Sequence, residues 1–275
     1  MPGHTLASDG INILLRPSEA VPWGRRQNVL DAGRDATIIL PTLNEVDNIV
    51  HMLDALTGLY PDQMVLVIDD DSEDGTADAV KGWDGVGQVS LIVRERSDRG
   101  LSASIYDGMM ASETRFFIVM DSDFQHPPER VAALLDELRE GADLVIGARN
   151  DRSALTPFRR FSSSVAHILA HYHLFLNSQP SSRDIMTGFF GGRTDVFQTV
   201  LRENQDRLER QGFKALFDLL RFCPPDIDVR EVDFVFHPRK AGESKITPLV
   251  IISILRQCGR GGVIAAGILS RALGK

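Results

Sequence analysis

From Ala36 onward the chain alternates short apolar runs with longer stretches in which apolar residues recur every three or four positions. Thr37–Leu40, Met64–Ile68, Val89–Val93, Phe116–Met120 and Leu144–Ile146 have the length and apolar content of buried strands. Between them, Ile49, Met52, Leu53 and Leu56 share one helical face, as do Val131, Leu134, Leu135 and Leu138, where Gly141 supplies a stop. Leu101–Ala111 predicts a further helix, and Asp74 or Thr76 caps one running through Val80. Alternation at this spacing predicts an α/β fold with a mostly parallel central sheet and helices on both faces. Ligands of such sheets bind beyond the carboxyl ends of the strands. Asn44/Glu45, Asp69–Asp71, Asp121/Asp123 and Arg149 each follow a strand, so the pattern puts four polar clusters on one rim.

The flanks differ from this core. Residues 1–35 read as an N-terminal extension, with a short strand at Ile11–Leu15 and a polar Arg16–Arg34, and no function attaches to them. The α/β domain occupies 36–245. In 246–275, Pro248–Leu255 and Gly262–Leu269 are apolar and are accompanied by Arg256, Arg260, Arg271 and Lys275. That segment suits either helices packed on the domain or in a dimer, or an interfacial pair on a membrane surface. No run approaches the roughly 18–20 apolar residues of a membrane span. Met1–Gly10 lacks a signal-peptide pattern, and Cys223 and Cys258 form no disulfide or metal pattern. A cytoplasmic location is the expectation. The net charge of -8 argues against nucleic acid as a partner.

The chemistry concentrates at Phe116–Glu129. An apolar strand ends in Asp121-Ser122-Asp123, and Pro127-Pro128-Glu129 opens a helix. Residues two apart on extended chain point the same way, so Asp121 and Asp123 share a face and Gln125 can add a third oxygen. Oxygen-only ligands suit Mg²⁺ or Mn²⁺, with positions left for substrate phosphates. A lone Asp-x-Asp is more often a solvated turn that caps the next helix. The turn after the first strand, Pro41–Glu45, has no glycine, and a Gly-Lys-Ser/Thr phosphate loop is absent. A metal held by Asp121 and Asp123 is then the natural way to bind a diphosphate.

In order, Pro41–Glu45, Val67–Thr76, Arg99–Leu101, Asp121–Glu129 and Gly147–Arg149 resemble the family-two glycosyltransferases of GT-A fold. Gln125–Glu129, Gly212–Lys214 and Arg239–Lys245 are similar to the dolichol-phosphate mannose synthases and their polyprenyl-phosphate relatives, and the likeness spans about residues 36–250. The resemblance implies a donor site of Pro41, Leu43, Glu45, Ile68, Asp70 and Ser122, with Glu45 near the ribose and Ile68 and Asp70 at the base. It implies Asp121, Asp123 and Gln125 on metal and diphosphate, Arg149 on phosphate, Arg159 and Ser163 at the acceptor phosphate, and Arg239 and Lys245 in an acceptor loop. The family usually has tyrosine where Leu43 stands, and often Ala or Gly at Ser122 and Ser102.

Several neighbours read as structural. Asp69 suits a backbone-bonding turn. Asp184 suits a strand cap or a residue that positions the acceptor loop. His126 suits a helix start, and Lys214 a snorkelling surface residue at the head of an apolar helix. Asp123, Arg149, Arg239 and Lys245 are the residues expected to carry the chemistry. The implied reaction moves a hexose, mannose from GDP-mannose, to dolichyl or polyprenyl phosphate with inversion. UDP-glucose as donor is the alternative within the family, and a non-catalytic sugar-nucleotide-binding protein the alternative outside it. A lipid acceptor implies a membrane surface as partner, met peripherally from the cytoplasmic face, through an anchoring partner or as a homo-oligomer.

Overall fold

The computed structural model describes residues 7–8, 11–13, 34–149, 157–212, 214–236 and 267, and the side chains among these from 34 onward except those of 157–166. The strands are β1 (Ala7–Ser8), β2 (Ile11–Ile13), β3 (Ala36–Thr42), β4 (Met64–Asp69), β5 (Gln88–Val93), β6 (Phe116–Val119), β7 (Leu144–Arg149), β8 (Phe190–Arg193) and β9 (Val229–Phe234). The helices are α1 (Val46–Leu59), α2 (Thr76–Lys81), α3 (Leu101–Ala111), α4 (Val131–Arg139), α5 (Pro157–Leu176), α6 (Thr194–Glu203) and α7 (Ala215–Phe222).

Among the described residues the strands form one sheet in the order β1-β2-β5-β4-β3-β6-β8-β7-β9. Strand β3 pairs in parallel with β4 and β6, and β4 with β5. Strand β8 is antiparallel to both β6 and β7, and β9 is parallel to β7. Following these directions through, β3, β4, β5, β6, β7 and β9 all point the same way, so their carboxyl ends line one rim.

Period-two alternation feeds a core on each face. Ile38, Leu40, Val65, Val67, Phe116 and Ile118 pack with α1 and α4. Ile39, Leu66, Ile68, Phe117 and Val119 face the other way, against α3, α6 and α7. The strands are buried on both sides, which is why they read as continuous apolar runs. Phe117 makes edge-on contacts with Phe190 and Phe197. Each such buried side chain contributes about 1.5–3 kcal/mol of transfer free energy.

The α/β class, the mostly parallel sheet and the helices on both faces are as expected. Strand β8, Phe-Gly-Gly-Arg, has no counterpart among the apolar runs. The glycines are there because the sheet is tight: a Cβ on Gly191 would lie 2.3 Å from Ile118 Cδ1, and one on Gly192 2.8 Å from the Phe197 ring. Strand β9, from Val229 to Phe234, closes the sheet beside β7. Ile11–Ile13, in the N-terminal extension, joins the sheet beside β5.

Candidate active site

Polar turns close the parallel strands along the rim. At the β3 and β4 exits the turns are stitched together. Asn44, left-handed at φ 56, donates its N–H to Ser72 Oγ and accepts the Glu73 N–H on Oδ1. Glu45 N–H donates to Thr76 Oγ1, and its Oε2 accepts from Asn48. Asp74 accepts the N–H groups of Val46 and Thr76, joining the starts of α1 and α2. Asp69 is a turn residue, as expected, taking Thr42 Oγ1, Ser72 N–H and Ser72 Oγ.

Asp70 is buried, and its two oxygens are already engaged. Oδ1 accepts from Arg94, and Oδ2 accepts the Gly100 N–H at 2.7 Å. Arg94 is itself held by Asp107 at 2.9 Å and Asp98 at 2.6 Å, so the Asp70 carboxylate is fixed from behind. Arg210 holds the carboxyl of Asp98 below the usual range. Ile68 has no exposed surface and packs in the core. Its side chain is therefore covered by the core, where contact with a base was expected. Pro41 is buried in β3, and Leu43 is half-buried beyond it.

At the β6 exit, Asp123 is buried and its Oδ1 accepts the Gln125 N–H at 3.0 Å. This local turn forces Phe124 to φ 63, a left-handed conformation that a bulky residue adopts only at a cost of about 1–3 kcal/mol. Asp121 stands at the mouth with a 36% exposed side chain. Its N–H donates to His126 Nδ1 at 3.0 Å, which leaves the ring proton of the neutral imidazole on Nε2. His126 stacks on Phe189 and meets the edges of Phe234 and Phe236. Burial pushes it down to a pKa of about 4, against the pull of Asp123. It thus does more than start a helix, since it grips the backbone of Asp121. Ser122 is buried between the two aspartates.

At the β7 exit, Arg149 forms a fork with buried Asp184, Nε to Oδ2 at 2.6 Å and Nη2 to Oδ1 at 2.9 Å. The guanidinium also lies 5.3 Å from the centre of the Phe236 ring. Asp184 reaches the rim because β8 runs against its neighbours, so the loop before it, not after it, arrives among the strand ends. The same loop receives Lys214, whose Nζ donates to Met186 O at 2.8 Å. Burial and the charge of Arg149 push Lys214 down to a pKa of about 8, with Asp184 and Asp121 pulling the other way. Lys214 is therefore a member of the rim and not a snorkelling surface residue. Gly212–Lys214 stands out in the sequence only as a family likeness, because the partners that define its place, Met186 among them, are brought in by tertiary pairing.

Of the remaining site residues, Arg159 and Ser163 fall on α5, whose side chains at these positions lie outside the described residues. Arg239, Lys245 and the segment 246–275 other than 267 lie outside them too. Among the described residues no helix is long and apolar enough to cross a membrane.

Asp121 and Asp123 offer carboxylate oxygens and Gln125 an amide oxygen, and the Asp121 carboxylate is partly exposed. Among the described residues no group of three or more His, Cys, Asp and Glu side chains gathers to hold a metal. That donor set fits a hard divalent cation whose remaining positions are filled by a substrate diphosphate, and does not fit a closed structural site.

The profile of Glycosyl transferase family 2 matches residues 37–201. The dolichol-phosphate mannosyltransferase of Mycosarcoma maydis is 31% identical over 235 residues, covering 80% of this chain and 76% of that protein. The dolichol-phosphate mannosyltransferase of Pyrococcus furiosus is 32% identical over 240 residues, covering 82% of this chain but only 62% of its own length. Among solved structures, glucosyl-3-phosphoglycerate synthase from Mycobacterium tuberculosis, in complex with Mn²⁺, UDP-glucose and phosphoglyceric acid, superposes with a TM-score of 0.55 at 19% identity, covering 86% of each chain. With the profile spanning more than half of the chain and the relatives matching across most of it, the chain belongs to glycosyl transferase family 2 and is a glycosyltransferase of GT-A architecture.

Proposed function

We propose that the protein transfers mannose from GDP-mannose to the phosphate of dolichol or another polyprenol, with inversion at the anomeric carbon. The observation that carries this is the match, across most of the chain, to proteins named dolichol-phosphate mannosyltransferase. The geometry agrees with the demands of such a reaction.

The donor's bond between the anomeric carbon and the diphosphate breaks, an acceptor phosphate oxygen bonds that carbon, and a nucleoside diphosphate leaves. Negative charge grows on the leaving group. Asp121, Asp123 and Gln125 would hold Mg²⁺ or Mn²⁺, which supplies positive charge at the diphosphate when bound. Arg149, oriented by Asp184, adds a fixed cation at the same rim, and preorganised charge of this kind needs no rearrangement as the reaction proceeds. Asp70, fixed from behind by Arg94 and the Gly100 N–H, keeps a second lone pair on each oxygen and would accept an N–H from the edge of the base. Neutral His126 holds Asp121 without adding charge beside it.

The acceptor needs no general base. A phosphomonoester is already ionised near neutral pH, with a second pKa of roughly 6. What it needs is positive charge, which Arg159, Arg239 and Lys245 would supply, with Ser163 beside them. A polyprenyl tail stays in the hydrocarbon phase, so the enzyme works at a membrane surface, bound peripherally on the cytoplasmic face through 246–275 or through a partner.

The test is incubation of the full chain with labelled GDP-mannose, UDP-glucose and related donors, with dolichyl phosphate, in the presence and absence of a chelator. Mannosyl lipid formed from GDP-mannose alone, and lost on chelation, is the expected result. Label transferred from UDP-glucose would replace the donor assignment. Tight nucleotide-sugar binding with no product from any donor would point to a non-catalytic binding protein.

A further inference from the structure

The segment Asp184–Gly188 precedes the antiparallel strand β8 and touches three charged groups of the rim, each at a different residue. At its start, the Asp184 carboxylate forks Arg149, with contacts of 2.6 and 2.9 Å. At its middle, the Met186 carbonyl accepts from Lys214 Nζ at 2.8 Å. At its end, Gly188 lies against Asp121. A Cβ there would stand 3.3 and 3.5 Å from the two carboxylate oxygens of Asp121 and 3.4 Å from His126 Cε1. The backbone of the segment is itself tied down. Ser182 Oγ accepts the Asp184 N–H, Thr187 N–H donates to the Asp184 carbonyl, and Thr187 Oγ1 accepts the Phe189 N–H. Phe189, next in the chain, stacks on His126.

We propose that Asp184–Gly188 is a positioning platform that fixes Arg149, Lys214 and Asp121 relative to one another, so that two cations of the rim and the cation-binding carboxylate are set by one piece of backbone. The physical case is economy of constraint. Arg149, Lys214 and Asp121 come from three different parts of the chain, and this one segment meets all three. Charged groups that must meet a diphosphate need placement within fractions of an ångström, which is supplied by the groups packed behind them. The platform does this by three different devices, a carboxylate fork, a carbonyl acceptor and a missing side chain. Gly188 has no left-handed backbone angle to explain it. Its smallness matches the space beside Asp121, where a methyl group would press the carboxylate away by a few tenths of an ångström.

This inference rests on the reading of Asp121 and Asp123 as the divalent-cation site, and the experiment separates the two. Mn²⁺ binding in the presence of GDP is measured by electron paramagnetic resonance, and GDP binding by calorimetry, on the full-length wild type, Gly188→Ala and Asp184→Asn, with a thermal melt for each. The wild type binds Mn²⁺ with GDP. Gly188→Ala keeps its melting temperature and binds Mn²⁺ about 10- to 100-fold more weakly. Asp184→Asn places an amide N–H₂ against the guanidinium, so Arg149 leaves its position and GDP affinity falls about tenfold, while Mn²⁺ binding at saturating GDP stays near the wild-type value. An Asp184→Glu variant, which keeps the charge, recovers part of the GDP affinity. Wild-type Mn²⁺ affinity in Gly188→Ala, or equal loss of both ligands and of melting temperature in every variant, would overturn the platform. If the wild type itself binds no Mn²⁺ with GDP, the cation reading fails and the Gly188 limb falls with it. The Asp184 limb is still decided by GDP affinity.

Discussion

Replacing His126 with asparagine should remove a specific acid sensitivity of the folded protein. His126 is buried against Phe189, Phe234 and Phe236, and its Nδ1 accepts the Asp121 N–H, so the folded state holds the imidazole neutral. Its pKa lies at about 4 instead of the ordinary 6.5. Between those two values the unfolded chain binds a proton that the folded chain refuses. Stability contributed by this group is therefore complete above about pH 6.5, falls as the pH drops, and stops falling below about pH 4. At about 1.4 kcal/mol for each pKa unit, the full loss is roughly 3 kcal/mol, a large share of the stability of an ordinary domain. Asparagine can still accept the Asp121 N–H but has no ionisation in this range, so its own cost is independent of pH. Urea unfolding without divalent cation, followed by circular dichroism from about pH 7 to pH 4.5, should show the wild type losing more stability than His126→Asn by roughly 2–3 kcal/mol. The imidazole Cε1 proton resonance provides a second readout and should not titrate near neutrality. Parallel pH profiles for the two proteins, or a His126 resonance titrating near pH 6.5, would refute the argument.

Four further outcomes are expected. Asp123→Asn removes a charged oxygen from the proposed cation site and should lower transfer by about 100-fold or more with the circular dichroism spectrum unchanged; near-normal, fully metal-dependent activity would refute it. Asp218→Ala should destabilise the fold by about 3–5 kcal/mol, measured by urea unfolding, because buried Asp218 accepts from Tyr106 Oη, the Glu209 N–H and Arg221, and its loss strands a largely buried guanidinium. Arg239→Ala should raise the acceptor KM or lower kcat while leaving GDP-mannose affinity unchanged, and loss of donor binding instead would reassign it. Truncation after Lys245 should keep donor binding but abolish flotation with liposomes and transfer to long-chain acceptor in bilayers; equal flotation, or an unfolded truncation, would count against an interfacial role for 246–275.

Much of the architecture is legible from pattern. A strand buried on both faces must be an apolar run, a helix packed on a sheet must repeat its apolar residues every three or four positions, and both signatures are local. That is why α3 falls at Leu101–Ala111 as expected and why the stop at Gly141, left-handed at φ 111, can be anticipated. The Asp121–Gln125 turn is legible for the same reason, since Asp123 bonds a residue two positions away. Parallel direction then follows from the crossovers, and with it the rim.

What the pattern could not contain is anything set by pairing between distant residues. Phe190-Gly-Gly-Arg has no strand signature, and it becomes β8 because β6 and β7 lie on either side and its glycines allow their close approach. That one antiparallel insertion carries Asp184 to Arg149, 35 positions away, and Met186 to Lys214, 28 positions away. Burial was equally out of reach. Ile68 was expected at a ligand and lies in the core, and Lys214 was expected in solvent and lies among charges, because exposure depends on what the rest of the chain places over a residue. Sequence by itself determined the elements, their direction and the carboxylate turn; tertiary structure alone decided which charges meet on the rim, since a charge's partners and its desolvation are properties of the packed chain and not of its neighbours in sequence.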